Sequence, residues 1–208
     1  MKRLLFIAAV IAASYYLYNQ SGANAGVYAD DGTPKTVLFT TEQCGEACDE
    51  IRRFLKKRTE FEEFDAFENG SGRDLYKEYG GTGYLPYIAM GKQRVEGRDR
   101  GKIVSSIAIE YGLDHVKKRE RKALERNFDP AGNPRIVMYA TERCGYCRAA
   151  AEYFTKNGID YISLDIDKDR SARRDFDVLM GSGTPLLYNG YARMTGFHER
   201  LVESALNL

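Results

Sequence analysis

Four cysteines occur in the 208 residues, as two close pairs: Cys44 with Cys48, and Cys144 with Cys147. Two sulfurs a few residues apart can exchange disulfides, hold a soft metal, or close a fixed bridge. The surroundings of the second pair favour exchange. Ile136-Val-Met-Tyr-Ala is an apolar run of β-branched and aromatic type, Thr141-Glu142-Arg143 is a polar turn, and Arg148-Ala149-Ala150-Ala151 begins a helix. Cys144 therefore stands at a strand-to-helix turn, where unpaired N–H groups and the positive end of the helix favour thiolate over thiol. Cys147, one helical turn on, can reach back to close a disulfide, and Arg143 and Arg148 add positive charge on either side. The expected roles are Cys144 as the attacking sulfur and Cys147 as the resolving one.

The first pair has three intervening residues, Cys44-Gly-Glu-Ala-Cys48, among Glu42, Glu46, Asp49 and Glu50. Acidic neighbours disfavour a thiolate. Cys44 and Cys48 are read as a candidate second redox pair, with a slower exchanger, a relay partner and a degenerate substrate-binding copy all open. A four-cysteine zinc site is not expected, because the pairs fall in different parts of the chain and their spacings differ. His115 and His198 read as surface residues, so no metal ligands are assigned.

The elements that must position these sulfurs appear twice. Gly32-x-Pro34-Lys35 recurs as Gly132-x-Pro134-Arg135, and Thr36 to Gly45 recurs as Ile136 to Gly145, at an offset of 100. Pro86, Gly91, Arg94 and Gly97 then match Pro185, Gly190, Arg193 and Gly196 at 99. Periodicity predicts strands at 37–40, 61–67, 87–90 and 93–97, with helices at 47–57, 73–79 and 101–111. The second copy repeats them at 137–140, 160–165, 186–188 and 192–195, and at 147–156, 171–180 and 198–206. The expected fold is α/β: two tandem domains, each β-α-β-α-β-β-α, at 33–112 and 133–208. A charged helical linker at 113–131 joins them, and its interspersed acids argue for a solvated helix over a nucleic-acid or membrane patch.

Lys and Arg number 31 against 30 Asp and Glu, so no general attraction to nucleic acid is implied. Met1-Lys2-Arg3 precedes an apolar run from Leu4 to Tyr18, and Ala23-Asn24-Ala25 forms a small-x-small cleavage pattern. The run is shorter than the roughly 20 residues that span a bilayer. Residues 1–25 are thus expected to be a signal peptide, with an uncleaved membrane anchor at 4–18 as the alternative. Either places the body of the protein outside the cytoplasm, which would be the periplasm if the source is a Gram-negative bacterium.

The order strand, Cys144-Gly-Tyr-Cys147, helix, then Thr184-Pro185-Leu-Leu-Tyr-Asn-Gly190 before a hairpin resembles the glutaredoxin branch of the thioredoxin superfamily. The resemblance covers nearly all of 135–208 and, more loosely, 35–112. It implies thioredoxin-like domains and a thiol–disulfide oxidoreductase acting on disulfide-containing proteins or glutathione, with glutathione as co-substrate and no tightly bound cofactor. It also implies that Pro185, and Pro86 in the first copy, are cis prolines beside the disulfide, with Thr184 helping to bind substrate. Arg143 and the stretch Thr195-Gly196-Phe197-His198-Glu199 correspond to glutathione-binding places, although Thr195 replaces a glycine and Glu199 an aspartate. A glutathione-held iron–sulfur cluster is the family's other use of such a motif, and non-enzymatic client binding is a further alternative. A reductase outside the cytoplasm would need a membrane electron donor.

Overall fold

The computed structural model describes residues 26–68, 70–206 and 208. The expected signal peptide or anchor lies outside these. Among the described residues no helix is long and apolar enough to cross a membrane. The chain divides into two compact units between Arg98 and Asp99.

Unit 1 holds β1 (Thr36–Thr40), a 3₁₀ turn (Glu42–Cys44), α1 (Gly45–Leu55), β2 (Glu62–Asp65), α2 (Ser71–Glu78), β3 (Tyr87–Met90) and β4 (Gln93–Glu96). Its sheet runs β2-β1-β3-β4, with β1 parallel to β2 and antiparallel to β3. β1 is buried along its whole length, which is why it reads as a continuous apolar run and not as an alternation. Val37, Phe39, Ala66, Tyr76, Tyr87 and Ala89 form the core on one face, with Phe39 ringed by Phe64, Tyr76, Tyr79 and Tyr87. β2 ends at Asp65, two residues before the expected 67. The Asp65 carboxylate accepts the N–H groups of Phe67 and Glu68, turning the chain out of the sheet.

Unit 2 begins with α3 (Arg100–Glu110), a 3₁₀ turn (Leu113–His115) and α4 (Lys118–Glu125). It continues with β5 (Ile136–Ala140), α5 (Gly145–Lys156), β6 (Tyr161–Asp165), α6 (Arg170–Val178), β7 (Leu186–Asn189), β8 (Ala192–Thr195) and α7 (Glu199–Leu206). Its sheet order is β6-β5-β7-β8, the order of unit 1 repeated. Both units have the thioredoxin-like arrangement of a mixed four-stranded sheet with helices packed on it. Ile136, Met138, Ala150, Phe154, Leu187, Val202 and Leu206 build the core between β5, α5 and α7.

α3, the helix that the repeat assigns to the first copy, packs against β8 of unit 2. Gly101 permits this: a Cβ there would lie 2.6 Å from the guanidinium carbon of Arg193 and 2.7 Å from the Leu179 carbonyl oxygen. The segment expected as a solvated linker is also packed. Ala123 and Leu124 of α4 are buried, and the Arg126 Nε lies 2.7 Å from Asp175 on α6. Two apolar positions among eight mostly charged residues are enough to seat the helix.

The repeat extends upstream of the strands. Residues 27–35 and 127–135 make the same turn: Lys35 donates to the Val27 carbonyl as Arg135 does to Asn127, and Gly32 donates to Ala29 as Gly132 does to Asp129. The copies therefore match by 100 from residue 27 to β1. Within the first helix the match becomes 99, since Cys48, Ile51 and Leu55 take the buried places of Cys147, Ala150 and Phe154. It returns to 100 at β2, because the connection after α1 is one residue shorter. It changes again between Gly81 and Pro86, where Thr82-Gly-Tyr-Leu85 faces Ser182-Gly-Thr184. Unit 1 thus carries one extra residue in its cysteine loop and one, Tyr84, in its proline loop.

Candidate functional site

The site of unit 2 lies where β5 ends. Cys144 caps α5 from an extended conformation (φ −75°, ψ 108°), and its Sγ accepts the backbone N–H of Cys147 at 3.0 Å. A sulfur is doing what a Ser or Asp side chain does at an ordinary helix start. The same N–H and the helix end stabilise negative charge on that sulfur once the bond is opened. Cys144 and Cys147 are joined as a disulfide, with Cα atoms 5.2 Å apart. Cys144 is half-buried and Cys147 is 4% exposed, so attack from solvent reaches Cys144 first. Tyr146 between them is 68% exposed.

The proline loop comes to the same place by register. Tyr139 pairs with Leu186, which sets Pro185 opposite Ala140 at the root of the cysteine turn. The Thr184–Pro185 peptide is cis. Gly196 donates its N–H to the Pro185 carbonyl at 2.7 Å, and its φ of +79° turns the chain from β8 toward α7. Phe197 follows, its ring tilted against that of Tyr153 with centroids 5.7 Å apart, and packs with Cys144 against the core. Arg148 donates to the Glu142 carbonyl at 3.2 Å and so lies along the cysteine turn. Arg143 is exposed, and none of the described residues holds its side chain.

A second component was not visible in the sequence. Ile166, Asp167, Arg170, Arg173 and Arg174 line a cleft of about 450 Å³. It opens on the loop that follows β6, beside the cysteine turn. Ile166 donates to the Ala140 carbonyl, and the Lys168 ammonium lies 2.7 Å from the Glu142 carboxylate. Three guanidinium groups near the start of α6 give the cleft a positively charged wall, with Asp167 at its edge. The signal was present as Arg170-Ser-Ala-Arg173-Arg174, but charges at helical spacing read first as a solvated face.

Unit 1 has the same frame with other contents. Cys44 and Cys48 are bridged, with Cα atoms 5.6 Å apart, and the Leu85–Pro86 peptide is cis. Cys44 adopts helical angles and makes no sulfur cap. Gly45 absorbs the extra residue at φ +53° and ψ −135°, a conformation that side chains resist. Cys48 is 1% exposed. Arg52, which follows, is bound by both oxygens of Glu63 and by Asp49. The Arg52 guanidinium, helped by the Thr40 hydroxyl, holds the Glu63 carboxyl below its ordinary range against the opposing effect of burial. Among the described residues no group of three or more His, Cys, Asp or Glu side chains is placed to hold a metal ion.

Residues 136–190 match the glutaredoxin family model. The match lies within unit 2 and spans both the cysteine turn and the proline loop. At this general level the chain is a thiol–disulfide oxidoreductase with glutaredoxin and thioredoxin-like features. No curated protein matches it. Among solved structures, a point mutant of a thioredoxin-like protein is 26% identical over 35% of this chain and 95% of its own, with a TM-score of 0.33. A glutaredoxin from Archaeoglobus fulgidus is 18% identical over 34% of this chain and 83% of its own, at 0.31. A protein disulfide oxidoreductase from Aeropyrum pernix is 13% identical over 92% of this chain and 90% of its own, at 0.33.

Proposed function

We propose that unit 2 is the exchanging centre of an exported oxidoreductase, with Cys144 as nucleophile, Cys147 as resolving thiol, and glutathione or a cysteine-bearing polypeptide as substrate. The observation that carries this is the sulfur of half-buried Cys144 capping α5 through the Cys147 N–H, while Cys147 lies buried behind it. In the reducing direction the Cys144 thiolate attacks a substrate disulfide, forming a mixed disulfide and releasing one substrate thiolate. Cys147, deprotonated, then attacks the Cys144 sulfur, closes the intramolecular disulfide and releases the second. Two electrons pass from the protein to the substrate. Two glutathione thiols reverse the change: the first attacks the Cys144 sulfur and frees the Cys147 thiolate, and the second attacks the glutathione sulfur of that mixed disulfide, freeing the Cys144 thiolate and forming oxidised glutathione.

The basic cleft gives glutathione a reason to dwell. Its carboxylates suit Arg170, Arg173 and Arg174, while Thr184, Pro185, Gly196 and Phe197 frame the sulfur end. Export rests on residues 1–25 alone, with their basic start, apolar run and Ala23-x-Ala25. The mature N-terminus is expected at Gly26, which mass spectrometry of the protein from its own cell reads directly.

The test of the chemistry is a trapping experiment. Cys147→Ser should accumulate a mixed disulfide at Cys144 that denaturing, non-reducing gels resolve and peptide mapping locates. Cys144→Ser should trap none; a mixed disulfide accumulating at Cys147 of that variant instead would reverse the roles. A Cys144–Cys147 potential below about −300 mV would mark the bridge as structural and end the proposal.

A further inference from the structure

The rim of unit 1 departs from that of unit 2 in a consistent direction. Unit 2 closes its two loops with the ion pair Glu142–Lys168; at the same backbone positions unit 1 has Glu42 and Glu68. The equivalence is set by matching bonds, since Phe67 and Glu68 donate to Asp65 as Asp167 and Lys168 donate to Asp165. Gly70 and Asp74 stand where the basic cleft has Arg170 and Arg174, leaving only Arg73 of the three arginines. The extra residue of the cysteine loop brings in Glu46. Glu42, Glu46 and Glu68 are exposed, and none is in an ion pair among the described residues.

Beside these acids lie two exposed aromatic side chains. Phe67, 51% exposed, replaces Asp167, and Tyr84, 69% exposed, is the residue added to the proline loop. Tyr76 joins the ring of the first to the backbone that carries the second. Its ring meets that of Phe67 at 5.9 Å, its hydroxyl accepts the Gly83 N–H at 2.7 Å, and it donates to the Tyr84 carbonyl. Unit 2 has Phe176 there, which has no hydroxyl to offer. Unit 1 thus carries two exposed aromatic side chains, linked through Tyr76, on loops that also bear the unpaired carboxylates around the Cys44–Cys48 bridge.

We infer that this surface docks a cationic polypeptide segment bearing an aromatic or aliphatic side chain. The apolar side chain lies on Phe67 and Tyr84, and Lys or Arg side chains meet Glu42, Glu46 and Glu68. Charge complementarity selects this occupant over an acidic one, and an exposed apolar surface with a polar rim is the usual form of an interaction site. Docking involves no electron transfer and does not depend on the chemistry assigned to Cys144.

Fluorescence anisotropy on the full chain, disulfides intact, tests it with three labelled, cysteine-free peptides. One is Lys- and Arg-rich with a central Phe, one has Glu in place of the cations, and one has Ala in place of the Phe. The first should bind best, losing affinity several-fold as salt rises from about 50 to about 500 mM. The double variant Phe67→Ala/Tyr84→Ala should weaken it by about tenfold, and Glu42→Lys/Glu68→Lys by at least as much. Arg173→Glu should leave it unchanged. Both aromatic side chains are exposed, so their truncation leaves the core of unit 1 in place, and the salt series on the parent chain gives a reading that needs no variant. No binding, equal binding of the acidic peptide, indifference to both double variants, or loss in Arg173→Glu each overturns the inference.

Discussion

In unit 2 a lysine and a glutamate close an ion pair across two loop mouths; in unit 1 two glutamates occupy those places. Beneath them the ladders are the same, with equivalent register in β1·β2 and β5·β6. Even the core exchanges volume without moving the frame: Ile51 and Leu55 against Ala150 and Phe154, a small-for-large and large-for-small swap across adjacent turns. Hydrogen-bonded registers cannot drift by one residue without turning a face inside out, whereas loops at a sheet edge can gain a residue at low cost. Both insertions of unit 1 fall in the two loops that frame its disulfide. The difference between the units is therefore concentrated where ligands arrive.

The sharpest way to break this comparison is to remove one sulfur from each unit. Cys144→Ser should lower turnover of a glutathione mixed disulfide by about a hundredfold or more, while Cys44→Ser should retain most of it. Equal losses would dissolve the distinction between the units. Next in size, Arg173→Glu should raise KM for that anionic substrate by about tenfold with little change in kcat, since a charged hydrogen bond contributes about 1.5–3 kcal/mol. Arg73→Glu, its counterpart, should leave both constants alone. The glycines after the first cysteines should then respond with opposite signs in urea unfolding. Gly45→Ala forces a side chain into φ +53° and should cost about 1–3 kcal/mol. Gly145→Ala, in a helix first turn with nothing closer than 3.8 Å to the new carbon, should be neutral or stabilise by up to about 1 kcal/mol.

The smallest effects are in acid stability. Glu63 sits below its ordinary range when folded, so the stability it contributes is present above the unfolded carboxylate value and fades as pH falls through the lowered one. Glu63→Gln should lower the Tm at pH 7, and that deficit should shrink on acidification. Asp175 in unit 2 is pushed up, chiefly by burial. Its contribution is greatest at low pH and is lost as pH rises through the raised value, so the Tm of Asp175→Asn relative to the parent should climb with pH. Parallel trends in the two variants would contradict the contrast.

Much of the frame was legible because the repeat sets each strand against a second sample of itself. Glycines, prolines and cysteines at offsets of 100 and 99 located both sheets and both proline loops. The boundaries were less legible where a side chain decides them: Asp65 ends β2 early, and the Cys144 sulfur starts α5 at Gly145 in place of Cys147. α4 read as solvated because Ala123 and Leu124 are outnumbered by charges, although those two seat the helix. The arginine cleft stayed hidden for a related reason, since the same three residues on an unpacked helix would form an ordinary wet surface. Tyr84 was in plain view, but what it does depends on the hydroxyl of Tyr76, a contact between residues that no periodicity links.

The exposed place of Tyr84 gives the chain a convenience of an optical kind. No tryptophan occurs in the 208 residues. Tyr84→Trp would therefore install a sole indole emitter at the rim of the first disulfide, with 15 tyrosines minus one left as a dim background. Its emission colour and its quenching by the nearby bridge would follow opening of Cys44–Cys48 in real time, with unit 2 spectroscopically silent at that wavelength.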